Sequence, residues 1–158
     1  MSSVTRISAQ LLDTVTAAAQ SLPRRRRNHN FHNSDSAICH RLLNAVEPES
    51  YVAPHCHLDS TKDEMMVVLR GSIGIVIFDA EGVVIDTVVL SQNGPVYGVD
   101  LPPGTIHSLV SLESGSVILE AKAGPYLPLS DEEKMHWAPA ENAPGWEVYR
   151  DRLIALFK

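Results

Sequence analysis

The chain has 158 residues, 44% hydrophobic and 20% charged, with a formal net charge of -6. That length suits one domain with a full core, and the composition is that of a soluble globular protein. An acidic balance argues against general binding to nucleic acid or an anionic membrane, which needs a basic field. Two cysteines, Cys39 and Cys56, make no disulfide framework, and a reducing cytoplasm is the expected compartment. Leu11-Leu12 is followed at once by Asp13, so no signal-peptide core forms, and no apolar run reaches the roughly 18 residues of a membrane span.

In chain order, residues 8–22 predict an amphipathic helix. Ser8 can cap it, its apolar positions recur at helical spacing, and Pro23 stops it. Arg24-Arg25-Arg26-Arg27 follows, then Asn28-His29-Asn30-Phe31-His32 and a loop at residues 33–36. From Ala37 the texture changes to strands. Ala37–Val46, Ser50–His57, Glu64–Leu69, Ile73–Phe78, Val83–Leu90, Val96–Leu101, His107–Ser111 and Ser116–Ala121 alternate with turn signals such as Asp79-Ala80-Glu81-Gly82 and Pro102-Pro103-Gly104. Many short strands at this spacing indicate a sandwich or barrel. An irregular stretch follows Gly124-Pro125, and residues 145–157 predict a second helix with Trp146, Tyr149, Leu153 and Phe157 on one side. The expected organisation is an N-terminal helical arm at 1–36, a β-barrel at 37–124 and a C-terminal extension with a helix at 125–158.

The chemistry concentrates in four residues. His55 and His57, two apart, share one face of an extended segment, and Cys56 points away. Glu64 opens a strand whose alternate residues, Met66 and Val68, are barrel-interior types, so a carboxylate there needs a partner. His107 follows a tight Pro-Gly turn that returns its strand beside the histidine pair. Three imidazoles and one carboxylate suit a divalent transition metal such as Fe, Zn, Ni or Mn.

His55-x-His57, then Glu64, then Gly71 resembles the first cupin motif, and Pro102-x-Gly104-x-x-His107 resembles the second. The resemblance implies a mainly β protein: a cupin double-stranded β-helix, or jelly-roll barrel, with helices at both ends. It makes His55, His57, Glu64 and His107 ligands of one metal, and it implies a homodimer. The gap from His57 to Glu64 is longer than in the usual motif. A wider resemblance, to the WbuC-type cupin metalloproteins, rests on Ser21-Leu22-Pro23-Arg24-Arg25-Arg26, Asn28-x-Asn30-x-His32, Arg41-Leu42-Leu43-Asn44-Ala45, Val96-Tyr97-Gly98-Val99 and Trp137-Ala138-Pro139. It implies a surface-polysaccharide or O-antigen context and supplies no reaction.

The functional expectation is a metal-dependent enzyme acting on a small sugar-like or anionic metabolite. Arg25, Arg26, Asn28, Asn30 and His32 are the expected substrate-binding residues, and Tyr97 or His32 the expected acid or base. The alternatives are a non-catalytic metal and metabolite-binding module and an iron-dependent dioxygenase. His29, His40 and His136 read as structural or surface residues, Cys39 as a buried filler, and Trp137 and Trp146 as packing residues.

Overall fold

The computed structural model describes residues 4–158. Two antiparallel sheets face each other. The first has five strands in the order β1 (Arg26–Asn30), β2 (Cys39–Val46), β8 (Ser116–Ala123), β3 (Glu64–Arg70) and β6 (Gly98–Leu101). The second has three, in the order β5 (Val84–Ser91), β4 (Ser72–Phe78) and β7 (Ile106–Ser111). Helix α1 (Ala9–Ser21) lies on the outer face of the first sheet and α2 (Trp146–Ala155) on that of the second.

The alternation of side chains along the strands explains this layering. In the first sheet, Val46, Met66, Val68 and Ile118 turn inward and meet Ile73, Ile75, Leu90 and Leu109 from the second. Leu43, Ala45 and Val117 turn outward and pack beneath Leu12, Val15 and Ala19 of α1. Outward residues of the second sheet, Val76, Phe78 and Val110, meet Leu153 of α2 and the buried Tyr51. Strand β4 is buried on both faces, and its sequence is accordingly a nearly continuous apolar run, Ile73-Gly74-Ile75-Val76-Ile77-Phe78. Gly74 leaves room for the Phe157 ring, whose nearest carbon would lie 2.5 Å from any added Cβ.

Helix α1 begins as its cap predicts: Ser8 Oγ accepts from the Leu11 amide at 3.3 Å, and the helix ends before Pro23. The hairpin between β4 and β5 is tied by Asp79, whose Oδ1 accepts from the Glu81 and Val83 amides at 3.1 and 2.8 Å.

Three local expectations change. Arg26–Asn30 forms an edge strand, although its sequence has no apolar alternation; backbone pairing of Arg26 with Val46 through Asn30 with Leu42 makes it. Ser50–His57 forms no continuous strand. Pro54 has no amide to donate, and only His55 bridges to its neighbours, His107 on one side and Lys134 on the other. Cys39 is exposed, because it lies on the outer face of β2 beyond the reach of α1.

Candidate metal centre

His107 opens the site on β7, just past the Pro102-Pro103-Gly104 turn. Gly104 takes a φ of +81°, open to glycine at no steric cost, and its amide donates to the His57 carbonyl at 2.7 Å. The turn is thereby tied to the His55–His57 segment. That segment is held to β7 by two backbone bonds, His55 N–H to His107 O at 3.0 Å and His107 N–H to His55 O at 2.9 Å. On its far side the Cys56 amide donates to the Glu133 carbonyl at 3.0 Å. Glu64 is the first residue of β3 and points inward with Met66 and Val68, all three buried.

The tautomers follow from the hydrogen bonds. His55 Nδ1 lies 3.0 Å from the Ala53 carbonyl and His107 Nδ1 lies 3.0 Å from the Thr105 carbonyl. A carbonyl only accepts, so each Nδ1 carries the proton and each Nε2 keeps a lone pair for the interior. Burial, then the neighbouring His107, lowers the His55 pKa to about 3, which keeps its ring neutral. The ligand atoms of His55, His57 and Glu64 all lie within 4.8 Å of one another. His57 Nε2 and His107 Nε2 each stand 3.4 Å from Glu64 Oε2. These three atoms are buried and have no hydrogen-bond partner. Buried polar atoms left facing one another without a bond are costly, and a cation among them is the arrangement that satisfies all three. The residues present therefore fit a metal ion.

Two residues that the sequence reading passed over complete the electrostatics. Lys122 Nζ donates to Glu64 Oε1 at 3.2 Å and to Glu120 Oε1 at 2.6 Å. It holds one oxygen of Glu64 and leaves the other, Oε2, turned to the histidines. Burial drives the Glu64 carboxyl upward, but the charge of Lys122, which donates to it, holds it below the usual carboxylate range. Burial raises Glu120 to about 7 despite Lys122. The signal was present: Ile118, Glu120 and Lys122 alternate along one strand, which puts two charges on a barrel-interior face.

A cavity of about 710 Å³ opens onto this centre, with His55, Glu64 and His107 in its wall. Arg26, Asn28 and Asn30 line it too, and so do Asn44, Glu120 and Lys122. His32 lines an adjoining recess with Glu120 and Lys122, where its ring stacks on His40 at 3.9 Å between centroids and its Nδ1 meets the Arg41 backbone. Tyr97 and Arg25 are not in the cavity wall. Tyr97 is 56% exposed beside Gly94, and Arg25 turns to the Gln20 carbonyl and Glu49. Arg26 is engaged within the protein by Glu141, Ser50 Oγ and the Tyr51 carbonyl.

A family model described as a domain of unknown function, DUF6016, matches residues 7–90. The chain belongs to the DUF6016 family. No curated protein is similar enough to the sequence to count as a relative. Solved structures similar to this DUF6016 chain include KdgF from Halomonas sp., at 19% identity over 68% of this chain and 85% of that one, with a TM-score of 0.51. A conserved SPY1581 protein of unknown function from Streptococcus pyogenes matches at 16% identity over 80% and 98%, with a TM-score of 0.52. CapF with the inhibitor 3-isopropenyl-tropolone matches at 18% identity with a TM-score of 0.54, over 72% of this chain and 32% of CapF. At these identities the likeness shows the fold, the cupin jelly-roll barrel. Among the described residues, no helix is long and apolar enough to cross a membrane.

Proposed function

We propose that this DUF6016 protein binds one divalent transition metal through His55, His57, Glu64 and His107 and acts as an enzyme on a small sugar-like or anionic metabolite. The observation that carries the metal reading is the convergence of His57 Nε2, Glu64 Oε2 and His107 Nε2, all buried and all unpartnered. The WbuC-type motifs support a surface-polysaccharide context, in a cytoplasmic homodimer. The metal, when bound, supplies a Lewis acid that polarises a ligand oxygen and favours proton shifts beside a carbonyl, as in isomerisation.

The chain's own residues do the rest. His55 and His107 present Nε2 because backbone carbonyls hold Nδ1–H. Lys122 orients Glu64 and balances its charge. Glu120 lines the cavity one cross-strand row from Glu64 and is the proton-transfer group of this reading, in place of Tyr97, which faces solvent. A second reading, a binding module without turnover, draws on the same fact: neither Tyr97 nor a free His32 stands in the cavity beside the metal ligands.

Elemental analysis of untagged protein, purified with and without air, tests the proposal beside His57→Ala. Near-stoichiometric metal in the wild type and its loss in the variant are expected. Iron would direct the work to oxygen uptake; zinc, nickel or manganese would direct it to isomerase assays. No metal in either protein would defeat the proposal. Turnover lost in Glu120→Gln with ligand binding retained separates enzyme from binding module.

A further inference from the structure

The stretch between His57 and Glu64, longer than in the usual motif, brings a lysine to the metal ligands. Asp59 Oδ1 accepts from the Thr61 amide and hydroxyl at 2.9 and 2.8 Å, and the Lys62 amide donates to the Asp59 carbonyl at 2.9 Å. The turn leads into Lys62, which is only 9% exposed. Lys62 lines a recess of about 200 Å³ beside His55 and His57. This recess is distinct from the larger cavity, whose wall holds neither Lys62 nor His57. A lysine this deeply buried is ordinarily paired, because an unmatched cation out of water is costly.

Among the described residues, the Lys62 ammonium has no ion pair and no hydrogen bond. The carboxylates around it are engaged elsewhere or stand in solvent. Glu64 meets Lys122, His57 and His107, and Glu120 meets Lys122. Glu133 accepts from the Leu58 and Ser130 amides, and Asp59 from Thr61. Asp63 is exposed. None of these carboxylates lines the recess, whose polar wall is Lys62, Lys122 and the imidazoles of His40, His55 and His57. A divalent ion held by Glu64 adds positive charge beside it and strengthens the same field. The remaining wall includes Leu127 and Leu129, from the segment that follows β8. No arginine fork is offered there, only point-charge donors. A carboxylate is met by few donors and its carbon body matches the leucines, whereas a phosphate would press unmet oxygens against them.

We infer that this recess is a second binding site, taking a small organic carboxylate whose charged end is held by Lys62 Nζ and whose carbon body lies against Leu127 and Leu129. The site adds to the proposed function and does not depend on a bound metal, since Lys62 is not a metal ligand.

The test uses the full chain after chelator treatment, which separates the recess from any metal that could itself hold a carboxylate. Binding of acetate, propionate and pyruvate is compared with binding of phosphate, sulfate and the neutral isostere propionamide, by calorimetry and saturation-transfer NMR at low salt. At least one carboxylate should bind, and propionamide should not. Lys62→Met keeps the apolar stem and removes the charge. It should weaken carboxylate binding by about tenfold or more, the scale of one hydrogen bond to a charged group. It should also keep or raise Tm, because an unmatched buried charge is gone. Should Lys62→Met fail to fold, Leu127→Asp, at an exposed position of the recess wall, brings a like charge to the carboxylate and carries the same expectation for binding. Carboxylate binding unchanged in Lys62→Met overturns the inference and leaves Lys62 a packing stem with its head in water. Binding of phosphate or sulfate but of no carboxylate, or of no anion at all, overturns it as well. The metal reading is decided separately, by the elemental analysis.

Discussion

His55 shows how one residue's surroundings set its chemistry. Its ring packs 4.6 Å from that of His107, its Nδ1–H is anchored on Ala53, and desolvation lowers its pKa to about 3 from an ordinary 6.5. Between these values the unfolded chain binds a proton that the folded chain refuses, so stability falls as pH drops through about 6.5 toward 3. Glu64, held low, acts in the same direction below its ordinary 4.5, while Glu120, raised to about 7, acts against it between those two values. The His55 share is isolated by difference. In metal-stripped protein, Tm against pH should fall less steeply on the acid side in His55→Gln than in wild type. Parallel curves for the two proteins would show that His55 contributes nothing to the acid limb.

At the scale of elements, the C-terminal extension is part of the site's scaffold. Glu133 receives the Cys56 amide on its carbonyl and the Leu58 amide on its carboxylate, at 3.0 and 2.9 Å. Glu141 clasps Arg24 and Arg26 with four bonds of 2.8–3.0 Å. The clasp pins the extension to β1, and so to the edge of the sheet that carries Asn28 and Asn30. Glu141→Ala leaves Arg26, 13% exposed in its side chain, with only Ser50 and Tyr51 as partners. A loss of about 1.5–3 kcal/mol in a denaturant titration is expected, the range of hydrogen bonds to charged groups. A loss well below that would mean water replaces Glu141 without cost. Glu141→Gln, which keeps two acceptor lone pairs, should recover part of it.

Among the described residues, the barrel is stabilised by three apolar clusters, one between the sheets and one under each helix. A ligand that binds only the folded state adds to this by mass action. A fitting divalent metal at a thousandfold excess over its Kd should stabilise the fold by about 4 kcal/mol, read as a rise in Tm over chelator-treated protein. The rise should vanish in His57→Ala. A Tm indifferent to every first-row divalent metal would mean that the unpartnered atoms of the centre are met by water alone.

Much of this was legible in the chain itself, because periodicity and turn chemistry are local. The cap at Ser8, the stop at Pro23, the Asp79–Gly82 hairpin and the inward set Glu64, Met66 and Val68 all follow from neighbours within a few residues. The motif spacing likewise pointed to His55, His57, Glu64 and His107 as one group. What only the tertiary structure decided depends on partners far apart in sequence. Arg26–Asn30 is a strand because β2 offers it an open edge. Arg26 is no free anion grip because Glu141, 115 residues on, occupies it. Asn44, Glu120 and Lys122 belong to the cavity because strand register turns them inward beside Glu64. Side-chain alternation is written in every strand, but which face becomes the interior is settled only when the two sheets close on each other.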